Sequence, residues 1–381
     1  MIVAGVMSGT SADGINVALI RISRTKASLS FKLLGHAEHP YPKAVRRAVL
    51  SAMNATSISV ADLSRLNFLL AELYAEAVLS TQKQFRVKAE LIGCHGQTIY
   101  HQGERALFLG RKIATTWQTG EGAIVAARVD VPVVSDFRPA DMAVGGKGAP
   151  LVPFLDYLVY RDRKVGRILQ NIGGIGNLTA IPANASSDDV VAFDTGPGNM
   201  VMDALAERLF QTPYDRDGRI AAQGKILKPV IAEILRKPFF LRRPPKTAGR
   251  EEFGREFVAQ FLRGCGRAKR PDIMATAAAL TVESIRYALE HFVLDPRSQY
   301  RDFVVAGGGA KNPILMKMLG DRLPGLGLAI HASDEFGVPA QAKEAIAFAV
   351  MAYQTWNRLP SNVPSATGAR RPAVLGKISY R

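Results

Sequence analysis

Asp194 stands in the segment AFDTGPGN, at the end of an apolar run and directly before glycines. A carboxylate placed there in a cleft can take a proton from a reacting group as a general base. The same position suits an aspartate that caps or turns into a helix expected over 198–209. Residue types alone leave both readings open. Glycine turns also follow three other apolar runs. GVMSGTSADGIN (5–16) holds Gly9, Thr10, Ser11, Ala12, Asp13, Gly14, Ile15 and Asn16. NIGGIGN holds Gly173 and Gly174, AGGGAKN holds Gly308 and Gly309, and the Asp194 segment adds Gly196. Small residues let a backbone approach a ligand closely, and successive N–H groups in such turns cradle anions. One such turn is ordinary hairpin chemistry. Several at strand ends can hold a triphosphate and a nucleoside with backbone donors. The GxxxxGK[ST] signature and a well-formed dinucleotide fingerprint are both absent.

Asp13 and Glu344 are the candidates for a magnesium environment. Mg2+ takes few protein carboxylates and keeps several waters. The plainer reading of Glu344 is a surface position on a helix over 341–356. In GCHGQT (93–98), strand alternation points His95 and Gln97 to one side. There they can line a polar pocket, or His95 can be a satisfied core histidine. No cluster of His and Cys with metal-ligand spacing occurs, and no G-x-S-x-G elbow.

These residues need strands that end at the turns. Residues 2–6, 15–22 and 30–39 read as a three-strand meander. Helical periods follow over 43–53 and 60–85, then short apolar runs at 91–94 and 131–134. The order restarts at 166–182 and 190–199. It continues with a helix over 272–292, a strand into the triple glycine at 303–312, and helices over 313–323 and 341–356. Strands alternating with helices argue a sheet that continues in parallel. The same organisation occurring twice predicts two halves facing across a cleft, with the Gly-, Pro- and Ala-rich stretch 138–150 as the crossing.

The bulk numbers agree with a globular enzyme. The 381 residues suit two domains. No apolar run reaches the roughly 18 residues that span a bilayer, and the N-terminus lacks the basic region of a signal peptide. Two cysteines, Cys94 and Cys265, imply no disulfide framework and fit a cytoplasmic protein. The formal charge of +16 is scattered, so it reads as a basic surface rather than a nucleic-acid site.

Taken in order, GVMSGTSADGIN, CHGQTIYH, SDFRPADMAVGGKGAPLVP, NIGGIGNLTAI, FDTGPGN, PPKTAGREEF, GGGAKNP and AKEAIAFAVMA resemble the anhydro-N-acetylmuramic acid kinases. These belong to the actin- and hexokinase-like ATPase superfamily. The resemblance implies an α/β fold of two actin-like (ribonuclease H-like) domains, each with a mixed five-stranded sheet, facing across an interdomain cleft. It places the first domain at 1–138, completed by 357–381, and the second at 139–356. It implies that water attacks C1 of a 1,6-anhydro sugar while O6 takes the γ-phosphoryl group of ATP, with Asp194 as the base. It assigns the 9–16 turn, Gly173, Gly174, Gly196, Gly308 and Gly309 to ATP, and Asp13 and Glu344 to Mg2+. His95, Arg138 and Asp141 fall to the sugar. The implied partners are an anhydrosugar and water, with no nucleic acid, no membrane and a homodimeric assembly. The chain departs from the family's common pattern at Ala12, Asn16, Pro139 and Lys147. Levoglucosan kinases carry a similar motif set and are the alternative. A non-catalytic ATP-binding module is the third reading, and the presence of Asp13, Asp194 and Glu344 argues against it.

Overall fold

The computed structural model describes residues 1–9, 12–24, 29–53, 55–295 and 299–381. Thr10 and Ser11 lie outside them. The chain divides into two compact units, Met1–Leu158 with Gln341–Arg381, and Val159–Ala340.

The first unit opens with the expected meander: β1 (Ile2–Ser8), β2 (Gly14–Arg24) and β3 (Leu29–Pro40). Both pairings are antiparallel. β4 (Leu91–Phe108) returns parallel to β1, and β6 (Val133–Ser135) lies parallel to β4. Two additions make this sheet seven-stranded rather than five-stranded. β4 runs far past its apolar start and folds back as a hairpin on β5 (Arg111–Thr119), and β12 (Lys377–Ser379) pairs with β6. One face is covered by the helices Lys43–Ala52 and Val60–Phe85. The longer one starts where Ser59 accepts the Asp62 N–H and stops at Arg86 in the left-handed conformation. Between these ends, Leu63, Leu66, Leu70, Tyr74, Ala77 and Val78 recur at helical spacing and are buried. Burying each large member stabilises by about 1.5–3 kcal/mol.

The helix Lys343–Trp356 covers the opposite face. A Cβ on Gly5 would collide with the Ala345 carbonyl, and one on Gly93 with the Phe348 carbonyl. The helix therefore rests on strand backbone that only glycine leaves open. This contact corrects the sequence-based boundaries. Helix 343–356 and residues 139–158 belong to the first unit, not the second.

The second unit repeats the plan with β7 (Gly166–Ile172), β8 (Ile175–Ile181) and β9 (Val191–Pro197) as an antiparallel meander. β10 (Tyr300–Ala306) and β11 (Ala329–Ala332) add in parallel, giving the order β9-β8-β7-β10-β11. The path β3-β2-β1-β4-β6 in the first unit is the same 3-2-1-4-5 order. The fold is thus α/β with two mixed sheets of ribonuclease H-like order. The long helix Arg270–Ala288 is buried on nearly all sides and anchors the second core together with Phe193, Phe239, Phe240 and Phe253.

Candidate active site

Asp194 sits midway along β9, where its strand meets the segment 246–248. Its backbone N–H donates to the Lys246 carbonyl at 3.0 Å, and its Oδ2 accepts the Ala248 N–H at 2.7 Å. The following helix, Asn199–Phe210, begins behind Gly198 with no side-chain cap. Asp194 is therefore not a helix cap. Its Oδ1 has no hydrogen-bond partner among the described residues. Burial pushes its carboxyl up to about 6. The Ala248 N–H and the Lys246 charge oppose that rise, and Glu251 adds to it. A half-buried carboxylate with one oxygen held and one free suits a base that works near neutrality.

Lys246 and Ala248 are functional neighbours that residue types did not single out. Lys246 is buried, donates to the Phe239 and Phe240 carbonyls at 3.2 and 3.1 Å, and lies over the rings of Phe239 and Phe292. Burial lowers its ammonium to about 8, with Arg242 adding to the fall and Asp194 resisting it. The signal was a lysine in the turn-rich stretch PPKTAGREEF, adjacent to nothing in sequence that needs a charge.

The glycines of this unit divide into two kinds. Gly196 is packed against Ser284 and Phe240, and Gly309 against Ile172, so a side chain at either position would clash. A Cβ on Gly173, Gly174 or Gly308 would meet only ordinary contacts, from 3.4 Å outward. The protein itself does not demand glycine there, so backbone at these three positions stands open to close approach. Gly308 opens onto a cavity of about 380 Å3 that also holds Asn199, Asp203, Tyr214 and Lys311. Burial raises the Asp203 carboxyl to about 6. Asp203 was legible only as the residue one turn after Asn199.

In the first unit, the turn after β1 is held from below. The Ser8 hydroxyl donates to Gln97 Oε1 at 2.6 Å and accepts from Tyr41, whose hydroxyl also lies 3.3 Å from that of Tyr74. Gln97 Nε2 donates to the Gly9 carbonyl at 3.2 Å. Ala12 and Ile15 are buried, Gly14 packs against the His39 carbonyl, and Asn16 Oδ1 meets His36 Nε2. Of the described residues in this turn, Gly9 and the exposed Asp13 remain available. His95 and Gln97 do not share a face. The register slips from Val6↔Cys94 to Ser8↔Gln97, and Gly96 takes a φ of +77°. That extra residue turns Gln97 toward Ser8, while His95 packs on Phe348 at 4.5 Å.

His95 is itself spent. Its Nδ1–H donates to the Gly96 carbonyl at 2.7 Å and its Nε2 accepts from Arg138 Nε at 3.0 Å. Burial, with Arg138 second, pushes its pKa well below the usual imidazole range. Asp141 is spent more fully. It is wholly buried and accepts from the Gly148 N–H, Asn362 Nδ2 and Thr367 Oγ1 at 2.7–2.8 Å. The expectation that it lines a sugar pocket is corrected: it ties the 144–148 loop to the C-terminal segment. Arg138 gives Nε to His95 and Nη1 to the Gly148 carbonyl, and its Nη2 has no partner among the described residues. Burial lowers its pKa to about 10, against the pull of Glu344 and Asp141. Glu344 stands in the first turn of its helix, beside the Lys343–Asp156 ion pair of 2.7 Å. The protein crowded around its carboxyl raises its pKa, and Arg138 and Lys343 oppose that.

The family model for anhydro-N-acetylmuramic acid kinase matches residues 1–381. The chain belongs to the anhydro-N-acetylmuramic acid kinase family. A relative of that name from Bacillus cereus (strain AH187) is 43% identical over 383 residues, covering 100% of this chain and 99% of its own. One of the same name from Bacillus thuringiensis subsp. konkukian (strain 97-27) is 42% identical over the same coverage.

Phosphoryl transfer from a nucleotide uses a divalent cation bridging its phosphates. Among the described residues no three His, Cys, Asp or Glu side chains gather to hold a metal by themselves. Asp13, paired with Arg46 at 3.1 Å, and Glu344 offer carboxylate oxygen alone. That is the donor chemistry of a hard cation that keeps waters and phosphate oxygens as its other ligands.

Proposed function

We propose that this chain is an ATP-dependent kinase of 1,6-anhydro-N-acetylmuramic acid, giving N-acetylmuramic acid 6-phosphate and ADP. Family membership over the whole chain supports the reaction class. The observation that carries the chemistry is Asp194, with Oδ2 held by Ala248 and Oδ1 free. Asp194 Oδ1 takes a proton from water as the water oxygen bonds to C1. The C1–O6 bond breaks, and O6 bonds to the γ-phosphorus as its bond to the leaving ADP oxygen breaks. The proton leaves Asp194 to solvent.

Gly173, Gly174 and Gly9 are read as phosphate contacts, and the Gly308 cavity as the nucleoside's place. Asp13 and Glu344 would hold Mg2+, which when bound neutralises charge on the transferring phosphoryl group. Arg138, through its unspent Nη2, is the sugar-side cation. Among the described residues no helix is long and apolar enough to cross a membrane. The reading includes a cytoplasmic homodimer with no nucleic-acid partner. Light scattering on the eluted protein tests the dimer.

The decisive experiment incubates the protein with ATP, Mg2+ and the anhydrosugar in 18O-labelled water. ADP should form, with label at the C1 hydroxyl and none in the phosphate. An unlabelled C1 oxygen at early times overturns the water-activation route.

A further inference from the structure

We propose that a cationic cavity beside the β4–β5 hairpin binds the carboxylate of the sugar substrate and selects a sugar acid over neutral anhydrosugars. This rests on the reading above and names a subsite that the family match does not supply.

The cavity measures about 670 Å3. It is enclosed by the irregular stretch of β4, the facing part of β5 and the loop after the helix Phe137–Ala143. Pairing jumps from Gln102↔Thr115 to Ala106↔Ile113, so residues 103–105 bulge from the ladder. Arg105, Lys112 and Lys147 all line this cavity, and its one lining carboxylate, Glu104, is engaged by Lys147 at 2.6 Å. Neither Arg105 nor Lys112 has an acidic partner among the described residues. Unpaired like charges gathered around one hollow repel each other, and an anion between them removes that cost.

The walls are fixed in advance. The Lys147 N–H donates to the Thr367 carbonyl at 2.8 Å, the Arg370 N–H to the Val144 carbonyl at 3.0 Å, and Asp141 grips the Gly148 N–H. Gly103 packs directly on Lys147. These bonds fix the loop backbone beside Lys147, while Arg105 and Lys112 reach the hollow from the exposed edge of the hairpin.

A second cavity, of about 300 Å3, adjoins the first through Thr116 and Pro139. It is lined by Asn67, Gln118, Glu121 and Asp136. Gln118 is 8% exposed, and its Oε1 has no hydrogen-bond partner. A buried acceptor left open calls for a donor, and a sugar hydroxyl is one. A hydroxyl-accepting hollow thus abuts a carboxylate-accepting one. N-acetylmuramic acid carries both groups, whereas levoglucosan carries hydroxyls alone.

The test measures kcat/KM with ATP for 1,6-anhydro-N-acetylmuramic acid and for 1,6-anhydro-N-acetylglucosamine, which lacks the carboxylate. Arg105→Ala and Lys112→Ala should each lower the ratio of the two by about tenfold, the value of a charge-assisted hydrogen bond, through KM of the acid. Lys32→Ala, an exposed cation of β3, serves as the control for lost net charge. An unchanged ratio, or an equal loss in Lys32→Ala, overturns the proposal. So does a rise in the KM of ATP in place of that of the sugar, which would assign the cavity to phosphate. If the wild-type protein phosphorylates neither sugar, the functional reading fails by itself. Calorimetry with N-acetylmuramic acid against N-acetylglucosamine then decides the subsite. Acid-selective binding lost in the Arg105→Ala/Lys112→Ala double variant supports it, and equal binding or none overturns it.

Discussion

Asp194 is a half-buried carboxylate midway along a strand, and Asp141 is a wholly buried one on a short helix after a strand. They differ in how many hydrogen bonds reach them. Asp141 is closed to solvent, and Gly148, Asn362 and Thr367 all donate to it. Asp194 receives one side-chain hydrogen bond, from Ala248, and keeps an oxygen free. A buried carboxylate whose lone pairs are filled holds its donors in place. One whose lone pairs are not filled has its proton affinity raised by burial, and that affinity is what a base uses. Burial alone therefore does not mark a site. The unfilled acceptor does.

Replacing each residue by its amide is the strongest way to break this comparison. Asp194→Asn should lower turnover by about 10²–10⁴-fold, the usual worth of a general base. Calorimetry should still show ATP and sugar bound, and the melting temperature at pH 7.5 should be no lower than that of the wild type. Turnover near the wild-type rate would remove Asp194 from the chemistry.

Asp141→Asn should do the opposite. Its amide nitrogen turns a donor toward donors, leaving buried groups unmatched, so urea unfolding should show a loss of about 3 kcal/mol. Its folded fraction should keep a kcat far above that of Asp194→Asn. A variant as stable as the wild type would mean that Asp141 is not the structural tie.

The pH profile sharpens the Asp194 side. The base works ionised, and its carboxyl titrates at about 6. Below that pH, kcat should fall about tenfold per unit as the proton occupies Oδ1, and above it the limb should be level. The residual activity of Asp194→Asn should lack this limb. A limb centred near 4 would show that burial does not tune the group.

The smallest effect concerns Asp13, the exposed carboxylate. Its pair with Arg46 spans 3.1 Å between side chains that are 69% and 47% exposed. Arg46→Ala should change stability by no more than about 0.5 kcal/mol by chemical denaturation. A larger loss would make Asp13 a structural residue like Asp141 rather than one available to a ligand.

The meander of each unit and the helices Val60–Phe85 and Arg270–Ala288 were legible because their signals are local. Turn residues bound the strands, and apolar positions recur at the helical period. β5 was not legible. RKIATTWQT is two-thirds polar and buries only its last two residues, so no buried face imposed an alternation to read. The bulge at Gly96 escaped as well, since a register is a relation between two strands. With it went the expectation that His95 and Gln97 face the same way.

The sequence by itself determined that this chain folds as two α/β repeats, with glycine turns and acids at strand ends. Those facts reside in neighbouring residues. How fully each acid is satisfied was decided only by tertiary structure. The Ala248 N–H that leaves Asp194 half satisfied lies 54 residues away from it in the chain, and the Asn362 and Thr367 donors that silence Asp141 lie 221 and 226 residues away. Whether a carboxylate is a tie or a base depends on how many donors reach it, and those donors are assembled only when the chain is folded.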